Sequence, residues 1–222
     1  MADRTSRRDA VRPGPAGRLI AAVYDLAMSG SERQIYTSHR HRLLAAARGS
    51  VLDVGAGTGA NLPYYRSDAV SDVVLLDPSA GMLDRAGRKT GQVAAVQLMR
   101  RRADEMPFAE ESFDTVVFTL SLCTIPDPLA ALREARRVLR PGGALLVLEH
   151  VRAGEPDLAA WQDRVTPIWR RVNGGCRLNR DTRASIESAG FAFETVRAFR
   201  ESRIPLAILQ PHLIGTARAQ RR

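Results

Sequence analysis

The sequence feature that most constrains the fold is an apolar segment that runs directly into a glycine-rich loop, VLDVGAGTGANL at residues 51–62. Gly55, Gly57 and Gly59 have no Cβ, so the backbone of this loop can adopt positive φ values and can pass close to a ligand. Open α/β sheets bind their ligands outside the carboxyl ends of the strands, which is where a first strand-to-helix loop of this kind lies. The loop therefore predicts a ligand site at the carboxyl edge of an α/β sheet.

Apolar segments of β type alternate with segments of helical periodicity along the chain. The predicted strands are SVLDVG, DVVLLD, VAAVQL, FDTVVFTL, ALLVLEH, FAFETVRAF and HLIGTAR. Between them, helices are predicted at 79–88, 127–139, 155–171 and 180–189. RPGG at 140–143 is expected to end the second of these helices and to turn the chain into ALLVLEH, with its glycines at positive φ. Strands that are apolar on both faces and separated by helices predict a parallel sheet that is covered on both sides.

The length of 222 residues and the hydrophobic content of 45% suit one α/β domain. Residues 1–15 carry four arginines and two prolines, which predicts a disordered leader. Residues 16–217 are predicted to form the single domain, with N-terminal helices within 16–47, and residues 218–222 to form a flexible tail. The chain has two cysteines, no secretory signal and no apolar run long enough to span a bilayer, so we expect a cytoplasmic location.

The net charge of +9 raises the question of whether the chain binds nucleic acid. Its basic residues are arginines scattered among acidic residues, Lys89 is the only lysine, and aromatic residues make up 5% of the chain. Phosphate binding favours clustered basic stripes, and base stacking needs aromatic residues placed among them. We therefore predict no nucleic-acid partner and at most a weak peripheral contact with anionic membrane surfaces.

Two aspartates near the glycine loop narrow the choice of ligand. Asp77 ends the second predicted strand about twenty residues after the loop, where a carboxylate can accept hydrogen bonds from both ribose hydroxyls. The spacing also fits the dinucleotide fingerprint G-x-G-x-x-A, so a dehydrogenase has to be weighed. Asp53 counts against it, because a carboxylate beside the loop would repel a pyrophosphate and attract the amino group of a methionine moiety. The lack of a second substrate domain and the pattern FDTVVFTLSLCTI at 113–125 favour the same conclusion.

Four spaced motifs resemble those of class I S-adenosylmethionine-dependent methyltransferases: VLDVGAGTGANL, LLDPS, ADEMPFAEESFDTVV and LREARRVLRPGGALLVLEH. The resemblance implies a Rossmann-like sheet of seven strands, mostly parallel with an antiparallel last strand, and helices on both faces. It implies S-adenosyl-L-methionine as the cofactor. It also implies that Asp77 holds the ribose, while Asp53 and the backbone of Gly55 to Gly59 surround the methionine part.

The adenine-contacting motif departs from the family pattern. In many relatives an aspartate directly precedes the alanine of this motif, and here Arg102 stands in that place. Asp104 or the backbone of Ala103 is expected to serve instead, and a capping or surface role suits Asp104 equally. The predicted cofactor site also includes six residues within or close to these motifs: Ala56, Asn61, Pro78, Met82, Thr119 and Leu120.

Three further segments, LSLCTI at 120–125, LEHV at 148–151 and GGCRLNRDT at 174–182, resemble the thiol S-methyltransferases of the methyltransferase-like group and their bacterial relatives. This resemblance implies methyl transfer to a small lipophilic acceptor, a thiol in the first place. Methylation of a quinone precursor or a phospholipid headgroup is the alternative reaction. A non-catalytic module that binds cofactor or nucleic acid is the alternative of another class, and the oligomeric state stays open.

His150 and Glu149 are the candidate catalytic residues, because they come at the end of the fifth predicted strand. His150 is the candidate base, since histidine titrates near neutrality, and a simple hydrogen bond to a neighbouring loop is the equal alternative. Cys123 is expected to form a wall of the acceptor pocket. Cys176 lacks metal-ligand spacing with Cys123 or the histidines, so we expect no metal site.

Four residues of the last third of the chain have two interpretations each. Trp161 and Trp169 lie eight residues apart, and they are expected either to pack in the core or to cover an apolar acceptor. Asn179 and Arg180 are expected either to order the loop that closes the pocket or to start the next helix.

Overall fold

The computed structural model describes residues 35–89 and 95–220, and within them seven strands form one sheet. The strands are β1 (Gly49–Val54), β2 (Val70–Leu76), β3 (Val96–Met99), β4 (Phe113–Thr119), β5 (Leu139–His150), β6 (Phe191–Arg200) and β7 (Pro211–Ala219). The α-helices are α1 (35–44), α2 (Ala80–Gly87), α3 (Pro128–Val138), α4 (Pro156–Val172) and α5 (Thr182–Ser188). Short 3-10 helices lie at Leu62–Tyr64 and Ala207–Leu209.

The sheet has the strand order β3-β2-β1-β4-β5-β7-β6. The first five strands pair in parallel, and β7 pairs antiparallel with both β5 and β6. The strand order reverses between β1 and β4, and such a switch point opens a crevice at the carboxyl edge of the sheet. The architecture confirms the predicted Rossmann-like sheet, in which the last strand is antiparallel.

Helices cover both faces of the sheet because successive strand residues alternate between them. On one face, Leu52 and Val54 of β1 pack in a core that includes α3 and α5. On the other face, Val51 packs in a core with α1 and α2. The central strands β1, β2 and β4 are therefore buried along most of their length, and both faces of the sheet hold the loops at the carboxyl edge in place.

Several boundaries differ from the predicted ones, most clearly at the start of β5. Leu139 was expected to end a helix, but α3 ends at Val138 and Leu139 already pairs with Phe113 as the first residue of β5. The RPGG segment is an irregularity within β5, with Gly142 at φ +78°, and it shifts the register with β4. At the other end of the chain, β7 extends to Ala219, so the ordered domain passes the predicted boundary at 217.

The predicted leader at 1–15 lies outside the described residues, as do residues 16–34 of the segment 16–47 in which N-terminal helices are predicted. The described part of that segment contains α1. Among the described helices, none combines the length and the apolar character that a bilayer crossing requires.

Candidate active site

The glycine loop leaves the carboxyl end of β1 and is attached to the end of β2. The N–H groups of Gly55 and Ala56 donate to the carbonyl oxygen of Leu76 at 2.8 and 3.2 Å. Gly55, Gly57 and Gly59 have φ values of +69°, +55° and +73°, a backbone region that residues with a Cβ rarely adopt. The loop therefore uses the conformational freedom for which its glycines were singled out.

The three glycines have different surroundings. A Cβ on Gly55 would lie 2.5 Å from the Cβ of Ser121, and one on Gly59 would lie 2.9 Å from Cδ1 of Leu62. These two glycines thus permit close packing of the loop against the rest of the domain. A Cβ on Gly57 would meet no atom of the described residues within 4 Å. Gly57 therefore borders open space outside the sheet edge, where a ligand can approach the backbone.

Asp77 follows β2 and joins the glycine loop to α2. Its Oδ2 accepts a hydrogen bond from the Gly57 N–H at 2.9 Å, and its Oδ1 accepts one from the Ser79 N–H at 2.8 Å. Burial raises the pKa of this carboxyl group, although the two backbone hydrogen bonds oppose the shift. Each carboxylate oxygen has two lone pairs, so both can accept a further hydrogen bond. Asp77 is thus held in place and still able to bind two hydroxyl groups.

Asp53 lies on β1 beneath the glycine loop and is fully buried. Its two oxygens accept hydrogen bonds from the Asn61 amide at 3.1 and 2.9 Å, and Oδ2 also accepts one from the Tyr65 hydroxyl at 2.9 Å. Burial raises the pKa of Asp53 to about 6. The carboxylate was expected to face the amino group of the methionine moiety, but it is bound to Asn61 and Tyr65 instead and stabilises the base of the loop.

A buried arginine completes this network. Arg40 of α1 donates from Nη1 to the Oδ1 of Asn61 and to the Oγ1 of Thr119, the latter at 3.0 Å. Asn61 donates in turn to the same Thr119 hydroxyl at 2.9 Å. Asn61 was predicted to contact the cofactor, but its side-chain oxygen and nitrogen both form hydrogen bonds within the protein. The sequence patterns above did not single out Arg40. Its spacing of four residues from both Tyr36 and Leu44 nevertheless places it on the apolar face of a helix, where a buried arginine marks a polar network.

The other predicted cofactor contacts lie along the same edge of the sheet. Pro78 is exposed before α2, Met82 is half-buried in its first turn, and Ala103 is buried beyond the end of β3. Asp104 receives two hydrogen bonds from the Arg102 guanidinium, at 2.9 and 2.6 Å, and Arg102 lowers the pKa of this carboxyl group. Arg102, which replaces the usual aspartate, therefore binds both carboxylate oxygens of Asp104. The backbone of Ala103 is then the better candidate for an adenine contact.

The loop after β4 is held by Glu149. Leu120 begins it at φ +54°, a strained value for a residue with a branched side chain. The fully buried carboxylate of Glu149 then accepts hydrogen bonds from the N–H groups of Ser121, Leu122 and Cys123, at 2.9, 2.8 and 3.2 Å. Glu149 thus positions this loop, and its buried carboxylate does not face an acceptor, contrary to prediction. Adjacent residues of a strand project to opposite faces of the sheet, so His150 projects to the face opposite Glu149.

His150 ends β5 and belongs to a chain of polar side chains. His212 donates from Nδ1 to the carbonyl of Gln210 at 2.8 Å, and burial lowers the pKa of His212 to about 3, which keeps the ring neutral. Its Nε2 therefore accepts from the Tyr36 hydroxyl at 2.8 Å. The Tyr36 oxygen faces Nε2 of His150 at 3.4 Å, which places the His150 proton on Nε2. The free lone pair of His150 is thus on Nδ1, which lies 4.0 Å from Sγ of Cys176.

The two cysteines lie together, although 53 positions separate Cys123 from Cys176 in the sequence. Both are buried and unbonded to each other as a disulfide, and Leu178 packs beside them. The ligand atoms of Cys123, His150 and Cys176 all lie within 4.8 Å of one another. The contact with Cys123 and then that with His150 hold the pKa of Cys176 below its usual range. The sequence spacing, from which no metal site was expected, therefore does not reflect the fold, which brings these three possible ligand residues together.

The segment after α4 closes over the loop that follows β4. Arg180 donates from Nη1 to the carbonyl groups of Leu122 and Ile125, the latter at 2.8 Å, so this arginine orders the loop as one of its two interpretations anticipated. Trp169 packs against the cysteine pair, whereas the Trp161 side chain is 57% exposed. The two tryptophans therefore do not form a common cover.

Comparison with known proteins identifies the fold and the chemistry. Residues 52–147 match the model of a methyltransferase domain family. The thiol S-methyltransferase TMT1B of Homo sapiens is 31% identical over 195 residues, which cover 86% of this chain and 79% of that protein. The chain belongs to the class I S-adenosylmethionine-dependent methyltransferases. The phosphatidylethanolamine N-methyltransferase of Cereibacter sphaeroides is 35% identical to the methyltransferase over 145 residues, 63% of this chain and 68% of that protein.

A solved structure supports the same architecture. The S-adenosylmethionine-dependent methyltransferase from Mesorhizobium loti matches this methyltransferase with a TM-score of 0.63 at 21% sequence identity. The match covers 83% of this chain and 97% of that chain. At this identity the likeness concerns the fold alone, since one fold carries many activities.

The cofactor of the methyltransferase is S-adenosyl-L-methionine, and the residues at the carboxyl edge fit it. Asp77 retains lone pairs for the ribose hydroxyls. Gly57 borders open space that a Cβ at this position would fill, so the cofactor can lie close to its backbone. The buried hydroxyl of Ser121, beside Gly55, has no hydrogen-bond partner among the described residues. A buried hydroxyl of this kind is satisfied when a polar ligand group lies against the loop. When bound, the cofactor supplies a methyl group that is activated on a sulfonium.

Proposed function

We propose that this methyltransferase transfers the methyl group to the sulfur of a small lipophilic thiol. The observation that carries the proposal is the likeness to the thiol S-methyltransferase of Homo sapiens, which covers 86% of the chain. That likeness extends well beyond residues 52–147, the part that matches the general methyltransferase domain. It therefore includes segments outside the cofactor loops, where acceptor specificity resides in this fold.

The surroundings of the loop after β4 are suited to a lipophilic acceptor. Cys123, Cys176 and Leu178 form a small buried apolar cluster, and the half-buried side chains that pack on it are Trp169, Ile208 and Leu209. The backbone of Cys123 is fixed by Glu149 two residues after Ser121, which itself lies against the glycine loop. An apolar wall thus adjoins the cofactor site, and it supports Cys123 as part of the predicted pocket wall.

Methyl transfer from a sulfonium is an in-line displacement, so the protein mainly aligns donor and acceptor and excludes water. The reaction requires no nucleophilic side chain. A thiol with a pKa near 8.5 presents only a few per cent thiolate at neutral pH, so proton loss limits its reactivity. His150 is the predicted group that assists this loss, because its Nδ1 lone pair faces the same cysteine cluster.

The test is to incubate the full chain with a cofactor that carries an isotopically labelled methyl group and with a panel of acceptors. The panel contains alkyl thiols, phenols, amines, a quinol precursor and vesicles of phosphatidylethanolamine. Mass spectrometry is expected to find label on the thiol sulfur, and the Asp77→Ala variant to transfer much less. Label on the quinol or the lipid, with none on any thiol, would overturn the proposal.

A second candidate is methylation of a phospholipid headgroup. It is supported by the 35% identity to the phosphatidylethanolamine N-methyltransferase and by the exposed Trp161 and Ile168 of α4, at 57% and 67% exposure, which suit a peripheral membrane contact.

Sedimentation with anionic vesicles and titration with duplex DNA test the predicted partners. Weak vesicle binding and no DNA binding are expected, together with a cytoplasmic location on cell fractionation.

A further inference from the structure

Three soft ligand atoms converge at the end of β5, in a place that the sequence does not mark. Cys123 comes from the loop after β4, His150 from the last position of β5, and Cys176 from the segment after α4. Their ligand atoms lie within 4.8 Å of one another, and the Nδ1 to Sγ distance between His150 and Cys176 is 4.0 Å. Thiolate sulfur and imidazole nitrogen are the ligands that zinc prefers in proteins.

The imidazole is oriented for coordination. The hydrogen bonds of the neutral His212 and of Tyr36 place the His150 proton on Nε2, toward the Tyr36 oxygen. Nδ1 therefore directs its lone pair at the two cysteines. Metal-binding histidines usually have this arrangement, in which the second ring nitrogen donates to a fixed protein group that sets the tautomer and the ring orientation.

The cysteines are held by groups that do not themselves coordinate. Glu149 binds the backbone N–H of Cys123, and Arg180 binds the carbonyl groups on both sides of it. The half-buried side chain of Trp169 packs against the two cysteines.

We propose that Cys123, His150 and Cys176 bind a zinc ion whose fourth coordination position is open to the acceptor thiol. Tetrahedral zinc requires ligand atoms about 3.6–3.8 Å apart, given bond lengths of about 2.3 Å to sulfur and 2.0–2.1 Å to nitrogen. The present separations, 4.0 Å between Nδ1 of His150 and Sγ of Cys176 and at most 4.8 Å within the set, exceed these values by about 1 Å or less. Three protein ligands with one open position are the pattern of catalytic zinc sites, whereas structural sites are closed by four.

This role of the zinc rests on the proposed function and specifies how His150 assists proton loss. A thiol that coordinates zinc gives up its proton to water, because the cation stabilises the thiolate. The acceptor sulfur then contributes the electron pair of a new bond to the methyl carbon. The bond between that carbon and the cofactor sulfur breaks, and its electron pair stays on the cofactor sulfur, which becomes neutral. The thioether product has no negative charge and binds zinc weakly, so it can leave.

The binding test needs neither methyl donor nor acceptor. The reduced full chain, freed of metal with a chelator and kept in a phosphine reductant, is titrated with Zn²⁺ against a coloured zinc indicator. One Zn²⁺ per chain with submicromolar affinity is expected. Cys123→Ser, Cys176→Ser and His150→Ala are each expected to weaken binding at least tenfold. His41→Ala is the matched control, since His41 is an exposed histidine of α1, and it is expected to bind as the unaltered chain does.

Substitution of Co²⁺ for Zn²⁺ identifies the ligands in the unaltered chain and does not depend on how the variants fold. A sulfur-to-cobalt charge-transfer band and intense visible bands of tetrahedral cobalt are expected. No stoichiometric binding, no sulfur-to-cobalt band, or binding that the three substitutions leave unchanged would each overturn the site.

Activity separates this inference from the proposed function. Removal of zinc is expected to lower thiol methylation about tenfold at pH 7, and added Zn²⁺ to restore it. Methylation that proceeds equally without zinc would overturn the role of the metal and leave the thiol acceptor in place. Zinc binding without methylation of any thiol would overturn the proposed function and leave the metal site in place. Loss of methylation in His150→Ala with zinc affinity unchanged would show that the ring acts as a base and not as a ligand.

Discussion

Gly57 and Gly142 have similar backbone conformations, so a comparison of their substitutions can distinguish the effect of a lost ligand contact from the effect of backbone strain. Gly57 at φ +55° and Gly142 at φ +78° both border space in which a new Cβ meets no described atom within 4 Å. Gly57→Ala and Gly142→Ala are therefore each expected to lower the free energy of unfolding by roughly 1–2 kcal/mol, the cost of a left-handed backbone at alanine. Urea denaturation checks this.

Only the first of these substitutions is expected to affect cofactor affinity. The Cβ at Gly57 would occupy the space beside the Asp77 carboxylate where the cofactor approaches, so we expect Gly57→Ala to weaken binding at least tenfold in isothermal titration calorimetry. Gly142 lies in the irregular part of β5, away from the carboxyl edge, and Gly142→Ala serves as the control. Equal affinities of the two variants would contradict the assigned position of the cofactor.

Asp77 is the residue whose change tests the ribose contact. Asp77→Asn keeps the size of the side chain but removes the charge and one set of acceptor lone pairs, so cofactor affinity is expected to fall by about 1–3 kcal/mol. The control is Asp72→Asn at the amino end of the same strand, where the carboxylate accepts hydrogen bonds from the Ser50 and Ser71 hydroxyls. Calorimetry with S-adenosylhomocysteine measures both, and unchanged affinity of Asp77→Asn would remove the assignment.

The raised pKa of Asp53 predicts that the free energy of unfolding depends on pH. Its pKa is raised from 3.8 to about 6 in the folded chain, so between these values the folded state binds more protons than the unfolded state. Stability contributed by the protonated group is thus present below about pH 4 and decreases as the pH rises toward 6, by on the order of 1–3 kcal/mol. Above pH 6 this contribution changes no further.

The Asp53→Asn variant isolates this contribution, because asparagine does not titrate. The difference in unfolding free energy between the original chain and Asp53→Asn is expected to change between pH 4 and 6 and to be constant from pH 6.5 to 8. Urea denaturation at a series of pH values measures the difference. A difference that stays constant from pH 4 to 6 would show that Asp53 ionises at its ordinary pKa.

At the scale of the elements, the end of β5 fixes the loop after β4. Glu149 accepts hydrogen bonds from three consecutive amides there. Glu149→Gln turns an amide donor toward these N–H groups and removes an acceptor oxygen, so we expect hydrogen exchange of residues 121–123 to accelerate by about tenfold or more. Glu187→Gln, an exposed carboxylate on α5 that pairs with Arg183, is the control. Unaltered exchange at 121–123 would contradict the positioning role.

The elements themselves could be predicted from the sequence where the pattern is local. The apolar run of β4 and the helical spacing of α3 gave boundaries within one or two residues of those observed. The start of β5 could not be predicted in this way, because the RPGG segment is typical of a turn. Leu139 joins the sheet through its pairing with Phe113, a contact between distant parts of the chain that no local signal reports.

The topology of the whole molecule explains why the predicted donor site has a local sequence signal while the proposed acceptor side has none. The donor site depends on a contiguous loop and on Asp77, whose spacing follows from one strand, one loop and the next strand. The acceptor side that we propose is built from Cys123, His150 and Cys176, which approach one another only because β4 and β5 are neighbours and the segment after α4 folds back over them. Likewise, Arg40 reaches Asn61 only through the packing of α1 on the sheet.

The position of the donor site at the centre of the sheet predicts how the cofactor changes the stability of the whole molecule. The loops after β1, β2 and β3 all carry predicted cofactor contacts, so unfolding any part of the central sheet releases the ligand. Binding to the folded state alone adds about 2.7 kcal/mol at a ligand concentration of one hundred times Kd. For a domain of this size, that corresponds to a rise in Tm of roughly 5–10 °C. Differential scanning calorimetry with S-adenosylhomocysteine is expected to show one transition whose Tm rises with ligand concentration, and Asp77→Ala to require much more ligand for the same rise. A second transition that the ligand leaves unmoved would show that part of the sheet unfolds independently of the donor site.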